Sequence, residues 1–518
     1  MLSKVFLKRI TDAHSWLGLI ISGLLFTIFF CGSIAIYRAE ITQWAVQPHY
    51  NFSEGNALPL SEIIKKAIEG QHFDAKEHLS LILPTEQKPY YSAYIDVVHE
   101  VGEKDYVSFI IDPVSGEKLN HVEQFFLADF IYKLHYDLNF KAGSYIIGFV
   151  TLFFFFALIS GILIHAKKLI ASFFKYRTDQ TKRSKLLDMH NVIGVMTLPF
   201  TLMYAISGLI FNLVIIYQIA FALVLYKGDQ QALLDDAGYV AIKPVWKDKP
   251  WQDPAIDKVF NEISTRENYQ ASFVRMYNYG DESAIMHISG TMAQQIGGRF
   301  DIATELTTLN ETVVNDPINS NVVRKGLQVV ANLHFGNYAG YDLRLLYFVM
   351  GIGVCVLIVA GNLLWIDKKA RQRVSSSRAI KIANAYTLTS TAGVILATIV
   401  AFILERVLPI DLNDRHLVLI YSFIGSLIMS AIYAAMIDNI KCCLANLLKA
   451  SGFIGLALVL YDGIFYFNKI ITLAYDSLTT ALWTDGSILL LSLFSLHISR
   501  SLKFREQQKI ELTQAVPS

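Results

Sequence analysis

Eight long apolar segments constrain the fold of this chain more than any other feature of its sequence. A helix of about 20 apolar residues is long enough to cross a bilayer, and inside lipid a helix satisfies its own backbone hydrogen bonds. The sequence therefore predicts an all-α transmembrane helical bundle of about eight spans. The third segment is over-long and is expected to continue as a helix beyond the membrane. The segments lie near 14–37, 144–166, 190–226, 341–366, 384–405, 415–438, 446–467 and 480–500.

Basic residues in the connections predict the orientation of the spans. They precede span one, fill the short connection between spans two and three, and follow spans four and eight. Because basic loops stay in the cytoplasm, both termini are expected to be cytoplasmic. The residues are Lys4, Lys8, Arg9, Lys167, Lys168, Lys175, Arg177, Lys182, Arg183, Lys185, Lys368, Lys369, Arg371, Arg373, Arg378, Arg500, Lys503 and Arg505.

The net charge of +1 creates no field that would attract nucleic acid, so no nucleic-acid partner is expected.

Two long polar connections then lie outside the cytoplasm. Each has a helical pattern followed by alternating strand patterns, which predicts two small α+β domains. The first closes in the turn from Asp112 to Gly116, with the sequence Asp-Pro-Val-Ser-Gly. Strands are expected at 79–83, 94–98 and 106–111 in the first domain and, after a helix near 257–265, at 271–277, 284–289 and 295–300 in the second. The chain thus divides into 1–38 (first span), 39–143 (first domain), 144–226 (spans two and three), 227–340 (second domain), 341–375 (span four) and 380–518 (four additional spans and a tail).

Four histidines occupy matched positions in what looks like an internal repeat of span, domain, border histidine and span. His14 and His190 begin His-x-x-x-Gly stretches at spans one and three, and His135 and His334 follow leucine just before spans two and four. Ionisable residues at membrane depth are generally functional, and imidazoles that face each other across a helix bundle are typical axial ligands of haem iron. We therefore expect one haem between His14 and His190 and another between His135 and His334. The chain has no Cys-x-x-Cys-His sequence, so both would be non-covalent haem b.

A fifth histidine competes for the same role. His165 ends span two at the depth of His14 and His190, and it aligns with Trp365 in the second copy, so it has no symmetric partner. Three histidines thus compete for two axial positions. The symmetric pair is preferred, but His165 with either partner remains an alternative, and as a non-ligand it would suit a haem propionate. The simpler interpretation of all the border histidines is hydrogen bonding to headgroups or loops.

These features resemble those of the PepSY-associated transmembrane proteins. The resemblance rests on the stretches at His14 and His190, the Leu-His borders at His135 and His334, and the Asp-Pro-Val-Ser-Gly turn, and it covers about residues 1–375. It implies PepSY-like periplasmic domains and similarity to inner-membrane ferric and siderophore reductases that carry haem b and pass electrons outward. The protein is therefore expected to be a multi-pass protein of the bacterial inner (plasma) membrane. The resemblance implies nothing about the last four spans.

The functional prediction is a transmembrane haem b oxidoreductase, a ferric-chelate reductase that acts on ferric iron or ferric siderophores at the periplasmic side and aids iron uptake. The short basic segments carry no dinucleotide or iron–sulfur motif, so membrane quinol or a separate cytoplasmic reductase would supply the electrons. The alternatives are a transporter of iron chelates and a peptide-binding sensory or protease-regulating protein. Against transport, the repeat is parallel, and no interrupted helix or midplane charge pair marks a substrate site. No residue is assigned as catalytic.

Overall fold

Two compact units make up the structure, a computed structural model. The helical unit comprises 1–45, 127–214 and 339–518, and the sheet unit comprises 46–126 and 215–338. The described residues are 3–514 except 51, 54, 86–87, 99–103, 167–176, 178–179, 294–297, 337, 339, 373–375 and 471–474, and side chains are also not described at 104, 470, 475–477 and 505–514. Of the basic residues that predict the orientation, Lys167, Lys168, Lys175 and Arg373 lie outside the described residues.

The prediction of eight spans is confirmed: eight described helices are long and apolar enough to cross a membrane. The spans are Lys4–Ala35, Gly143–His165, Lys182–Asn212, Tyr341–Ala370, Ser377–Val407, Arg415–Met436, Ile440–Phe465 and Leu478–Phe504. Span five contains a π-helical turn at Thr389–Gly393, and span eight belongs to the longer helix Tyr475–Gln514. The shorter helices of this unit are Arg38–Val46, Leu127–Tyr136 and Phe467–Ile470.

Spans one to four form a closed four-helix bundle, in which spans one and three each contact spans two and four. Its core is aromatic and aliphatic, and the Phe29 ring lies 5.4 Å from that of Phe154 and 6.2 Å from that of Tyr204. Span five docks on this bundle through polar groups. The Tyr386 hydroxyl accepts a hydrogen bond from the Gly23 backbone N–H at 2.7 Å, where any larger residue at position 23 would meet the tyrosine ring.

The third apolar segment does not continue as one helix, so that expectation is wrong. Span three ends at Asn212, and a separate helix, Val214–Leu225, follows. The Asn212 side chain donates to the Gly208 carbonyl at 3.0 Å, which offers the last turn an alternative to helix continuation. Leu213 then leaves helical geometry, with φ −110° and ψ 13°.

Eight antiparallel strands form a single sheet in the other unit. They are β1 (His78–Ile82), β2 (Tyr91–Val98), β3 (Lys104–Ile111), β4 (Lys118–Asn120), β5 (Tyr269–Tyr277), β6 (Ile285–Met292), β7 (Arg299–Glu305) and β8 (Glu311–Asn315). Their order is β4-β3-β2-β1-β5-β6-β7-β8. The helices of this unit are Gln47–His49, Leu60–Ile68, Val122–Phe125, Val214–Leu225, Gln230–Asp236, Ile256–Ser264 and Val322–Phe335.

Each polar segment supplies a helix followed by four strands, but the two sets do not form separate domains as expected. Strands β1 and β5 pair antiparallel, with His78 opposite Tyr277 and Ile82 opposite Phe273. One hydrophobic core contains Ile63 and Leu81 from the first segment and Val259 and Ile288 from the second. The reason is that β1 and β5 would each be an unpaired edge in a separate domain. The segments therefore form one unit.

Pattern analysis located most strands and missed the short ones. The predicted strand at 295–300 starts too early, since β7 begins at Arg299, and residues 294–297 lie outside the described ones. Strands β4 and β8 are short edge strands with little alternation. The predicted turn is present: Asp112 accepts from the backbone N–H groups of Val114 and Ser115, and Gly116 has φ +71°. In the second copy Leu309 takes the corresponding left-handed position, with φ +58°.

Candidate functional site

His14 and His190 lie next to each other on spans one and three. Their ring centroids are 6.4 Å apart, and the ring planes are nearly perpendicular at 84°. His14 Nδ1 bonds to the Ala157 carbonyl of span two at 3.0 Å and also lies 3.0 Å from the Ser160 hydroxyl. His190 Nδ1 bonds to the Leu357 carbonyl of span four at 3.1 Å. The structure therefore brings together the first pair that the sequence repeat predicts.

The two copies hold these rings in the same way. Each histidine bonds to a backbone carbonyl of a neighbouring helix. Four residues after the residue that supplies this carbonyl, the neighbouring helix has a glycine next to the ring. A Cβ on Gly161 would lie 3.5 Å from His14 Cε1, and one on Gly361 would lie 3.2 Å from His190 Cε1. Because a carbonyl only accepts hydrogen bonds, Nδ1 must carry the proton in each ring. The Nε2 lone pair is then available to a metal.

His135 has the same surroundings at a different level of the bundle. It lies on the short helix Leu127–Tyr136, which precedes span two, and its Nδ1 bonds to the Ile28 carbonyl of span one at 2.8 Å. Gly32 follows Ile28 by four residues, and a Cβ on Gly32 would lie only 2.5 Å from His135 Nδ1. Burial lowers the pKa of His135, and the hydrogen bond to Ile28 opposes that shift only in part. Burial therefore favours the neutral form of the ring, which is the form that binds a metal.

His334 lies on the helix Val322–Phe335, which precedes span four, and its ring packs against Phe335 with centroids 5.3 Å apart. Both border histidines thus lie on short helices next to a span, as the repeat would require. His334 belongs to the sheet unit and His135 to the helical unit. Their pairing stays a prediction.

His165 ends span two and is half-buried. In the described part of the chain its ring has no hydrogen bond to a backbone carbonyl comparable with those of His14 and His190. The corresponding residue, Trp365, packs edge-on against Trp16 with ring centroids 5.0 Å apart. The arrangement favours the symmetric pair, while ligation by His165 stays an alternative.

The geometry of the first pair fits axial ligation of one metal ion. Imidazoles that bind an ion from opposite sides at about 2 Å have ring centres about 6 Å apart, close to the observed 6.4 Å. The oriented Nδ1 donors are the outer-shell contacts that metal-binding histidines usually make. Gly18 follows His14 by one turn, and nothing lies within 4 Å of where its Cβ would be. The residues present therefore fit a planar group held between the two rings.

The histidines of the polar segments show no regular metal-ligand spacing in the sequence, but the fold assembles one candidate site. Glu77, His78 and Asp96 each place a ligand atom within 4.8 Å of the others. They line a pocket of about 410 Å³ together with Asp74 and Asp105. Imidazole and carboxylate ligands of this kind suit first-row divalent ions. The group depends on the pairing of β1 with β2, which residue spacing does not reveal.

Sequence analysis also missed buried ion pairs in the last four spans. Arg406 bonds to Asp462 at 2.9 Å, and Arg415 bonds to Glu405 at 3.0 Å, with all four side chains almost fully buried. The sequence signal that could have revealed these ion pairs is the presence of charged residues at the ends of otherwise apolar segments.

Eight apolar spans, a four-helix bundle with matched histidines and an antiparallel sheet define a multi-pass membrane protein with an additional α+β unit. Comparison with known families matches the chain over residues 11–368 to the PepSY-associated TM region. The chain belongs to this family. The match includes all five candidate histidines and ends before span five. No curated protein matches the chain.

Proposed function

We propose that the protein is a transmembrane haem b oxidoreductase that passes electrons across the inner membrane and reduces ferric iron or ferric siderophores on the periplasmic side. The observation that carries this proposal is the ring geometry of His14 and His190, repeated at His135. In each case Nδ1 donates to a carbonyl of a neighbouring helix, and a glycine leaves room beside the ring. A simple headgroup contact would not require this geometry three times.

In this proposal each histidine has a defined task. His14 and His190 hold one haem at the end of the bundle where the basic residues cluster, and His135 and His334 hold the second near the opposite end. Haem supplies one-electron transfer at both positions. The carbonyls of Ala157, Leu357 and Ile28 fix the ring tautomers and orientations. Electron transfer across the membrane then needs no mobile carrier inside the chain.

The proposed substrate follows from the direction of transfer. Siderophore oxygens are hard ligands that hold Fe³⁺ more tightly than Fe²⁺, so reduction releases the iron. The sheet unit would offer a folded surface for a chelate on the predicted periplasmic side, whereas the connections predicted to be cytoplasmic are short and basic in sequence. Membrane quinol or a separate cytoplasmic reductase would supply electrons there, and the basic connections also suit anionic lipid.

Haem content and spectra of purified variants test the ligand assignment. The native chain should contain two haem b groups, and His14→Ala or His190→Ala should remove one of them. His135→Ala or His334→Ala should remove the other. His497→Ala is the matched control, because this histidine is exposed on span eight, and it should keep both. If His165→Ala empties the first site while His14→Ala does not, the symmetric assignment is wrong.

Activity is tested by adding ferric chelates to the reduced protein in sealed vesicles of known orientation and trapping Fe²⁺. Rapid reoxidation from the sheet-unit side, lost in the histidine variants, is expected. A red protein that reduces quinone but none of the ferric chelates would contradict the proposed substrate, while the proposal that the protein binds haem would still hold. A colourless protein would contradict both.

A further inference from the structure

A buried charged cluster joins spans five to eight. Arg406 Nε donates to Asp462 Oδ2 at 2.9 Å, and the guanidinium stacks on the Trp44 ring at 3.6 Å. Trp44 Nε1 donates to Asp485 Oδ1 at 2.8 Å. The carboxyl groups of Asp462 and Asp485 lie next to each other. Arg406, Asp462 and Trp44 are each no more than 1% exposed, so the cluster is part of the protein interior.

The charges of this cluster do not balance when every group is ionised. Glu405 has its own cation, Arg415, at 3.0 Å. Asp462 and Asp485 have only Arg406 between them, so two positive charges face three negative ones. Two other buried aspartates that face an arginine are paired one to one, in Arg177–Asp188 and Arg299–Asp301. One additional positive charge makes the cluster neutral, and neutrality matters where water is scarce.

The proximity of the two carboxyls makes a proton the simplest source of that charge. An ionised carboxylate is an acceptor only, so two carboxyl groups can bond to each other only when one carries a proton. Several polar atoms of the cluster also lack a protein partner among the described residues, namely Arg406 Nη1 and Nη2, Glu405 Oε2 and Asp462 Oδ1. Buried polar atoms of this kind usually bond to ordered water. Ordered water would complete the hydrogen bonding of these atoms.

We propose that Asp462 and Asp485 share one proton and, with Arg406 and bound water, form a buried proton-binding site in the last four spans. The proton comes from solvent water and leaves to it, so the charge of the cluster changes between zero and minus one. Asp485 is only half-buried and is the member through which exchange takes place. The other titratable or charged groups that face the pair are Glu405, Arg415, Tyr461 and Tyr466.

The site contacts the helix that carries His135. The Leu127 backbone N–H, at the start of that helix, lies close to the Glu405 carboxylate, and Phe130 of the helix packs edge-on against Phe423 of span six. Protonation therefore changes the charge close to the helix that positions His135. This gives the four spans that follow the family region a role of their own. The inference stands whether or not the histidines bind haem.

Infrared spectroscopy of the purified full-length chain, in a detergent without ester groups, tests the proposal directly. A C=O stretching band of an un-ionised carboxylic acid is expected at pH 7 and should disappear on alkaline titration. Asp462→Asn and Asp485→Asn should each abolish it, because the remaining aspartate then has Arg406 to itself. Asp438→Asn is the control, since Asp438 forms an exposed pair with Lys381, and it should leave the band unchanged.

Two further variants keep the test decisive if an asparagine variant does not fold. Asp485→Glu keeps both carboxyls and should keep the band. Trp44→Phe removes one hydrogen bond to Asp485 and should shift the frequency of the C=O stretching band. A native chain without the band at pH 7, or with a band that both asparagine variants retain, would overturn the proposal. So would a band that appears only when sodium is removed, because a metal cation would then occupy the site instead of a proton.

Discussion

At the scale of single residues, each of three candidate ligands depends on a partner far away in the sequence. His14 uses the carbonyl of Ala157, His190 that of Leu357 and His135 that of Ile28. In each case a glycine follows the carbonyl residue by four positions. This spacing places the carbonyl and the glycine on one face of the helix, one turn apart. The imidazole packs over the glycine, most closely at Gly32, where a Cβ would lie 2.5 Å from His135 Nδ1.

The glycines differ in how much room they leave, which leads to a matched prediction. Alanine at position 32 would put a methyl group 2.5 Å from His135 Nδ1, whereas alanine at position 161 would be 3.5 Å from His14 Cε1. The first distance requires displacement of the ring, and the second is ordinary contact. Gly32→Ala should therefore lose one of the two haem groups, and Gly161→Ala should keep both. Haem per chain is the measurement, and the reverse result would contradict the assignment.

Asp112 gives a second prediction at this scale. Burial raises the pKa of its carboxyl, but backbone N–H donors from Ser53, Ser115 and Val114 outweigh this effect and hold the pKa below its usual value. A depressed pKa adds stability above the unfolded value of about 3.9, and that stability is lost as the pH falls through the folded value.

Asp112→Asn should lower the melting temperature of the sheet unit at pH 7. It should also make the decrease in melting temperature from pH 6 to pH 3 smaller than in the native chain. Thermal unfolding followed over this pH range is the measurement. If the melting temperature of the variant falls as much from pH 6 to pH 3 as that of the native chain, Asp112 does not contribute to the acid sensitivity of the sheet unit.

At the scale of elements, the central pairing of β1 with β5 makes one unit out of two similar segments. Leu81 on β1 lies opposite Ala93 on β2 and Val274 on β5, and it is fully buried. A residue in this position belongs to the cores of both halves. The helices Leu60–Ile68 and Ile256–Ser264 are joined as well, because the Ser61 backbone N–H donates to Asp257 at 2.9 Å.

Leu81→Ala should therefore destabilise both halves together. Truncation of a fully buried leucine costs about 2–5 kcal/mol, and the sheet unit should still unfold in a single transition at lower temperature. Val313→Ala on the edge strand β8 is the control, since Val313 is 48% exposed and its truncation should change the stability by less than about 0.5 kcal/mol. Two separate transitions would show that the halves fold independently.

At the scale of the whole molecule, the topology remains a prediction from the basic residues. Spans one to four alternate in direction, and Lys368 bonds to Asp12 at 2.7 Å, so the start of span one and the end of span four lie at the same end of the bundle. This is the end predicted to face the cytoplasm. The polar segments before spans two and four are then predicted to be periplasmic.

Cysteine labelling of intact cells tests this orientation. Cysteine at Ser115 or Asn310, both exposed in the sheet unit, should react with a membrane-impermeant maleimide. Cysteine at the exposed position Ser377, after span four, should react only after lysis. The background should carry Cys442→Ser, because the other three native cysteines are buried. Labelling of Ser377 but not of the sheet positions would invert the topology.

The sequence by itself determined the eight spans, the matched histidines and most of the strands, because hydrophobic periodicity is a local property of the chain. It also located the Asp112 turn through residues that favour one local backbone conformation. It failed at the end of span three, where the Asn212 side chain competes for a backbone acceptor, a contact that an apolar run does not reveal.

Only the tertiary structure decided which elements meet. The sheet patterns are equally compatible with two domains or one, and the pairing of β1 with β5 depends on which free edge each strand can reach. Asp462, Asp485 and Arg406 lie on three different spans, so their cluster follows from how those helices rotate and pack against each other. Such partner choices reflect packing summed over whole surfaces, and no local pattern in the chain records that sum.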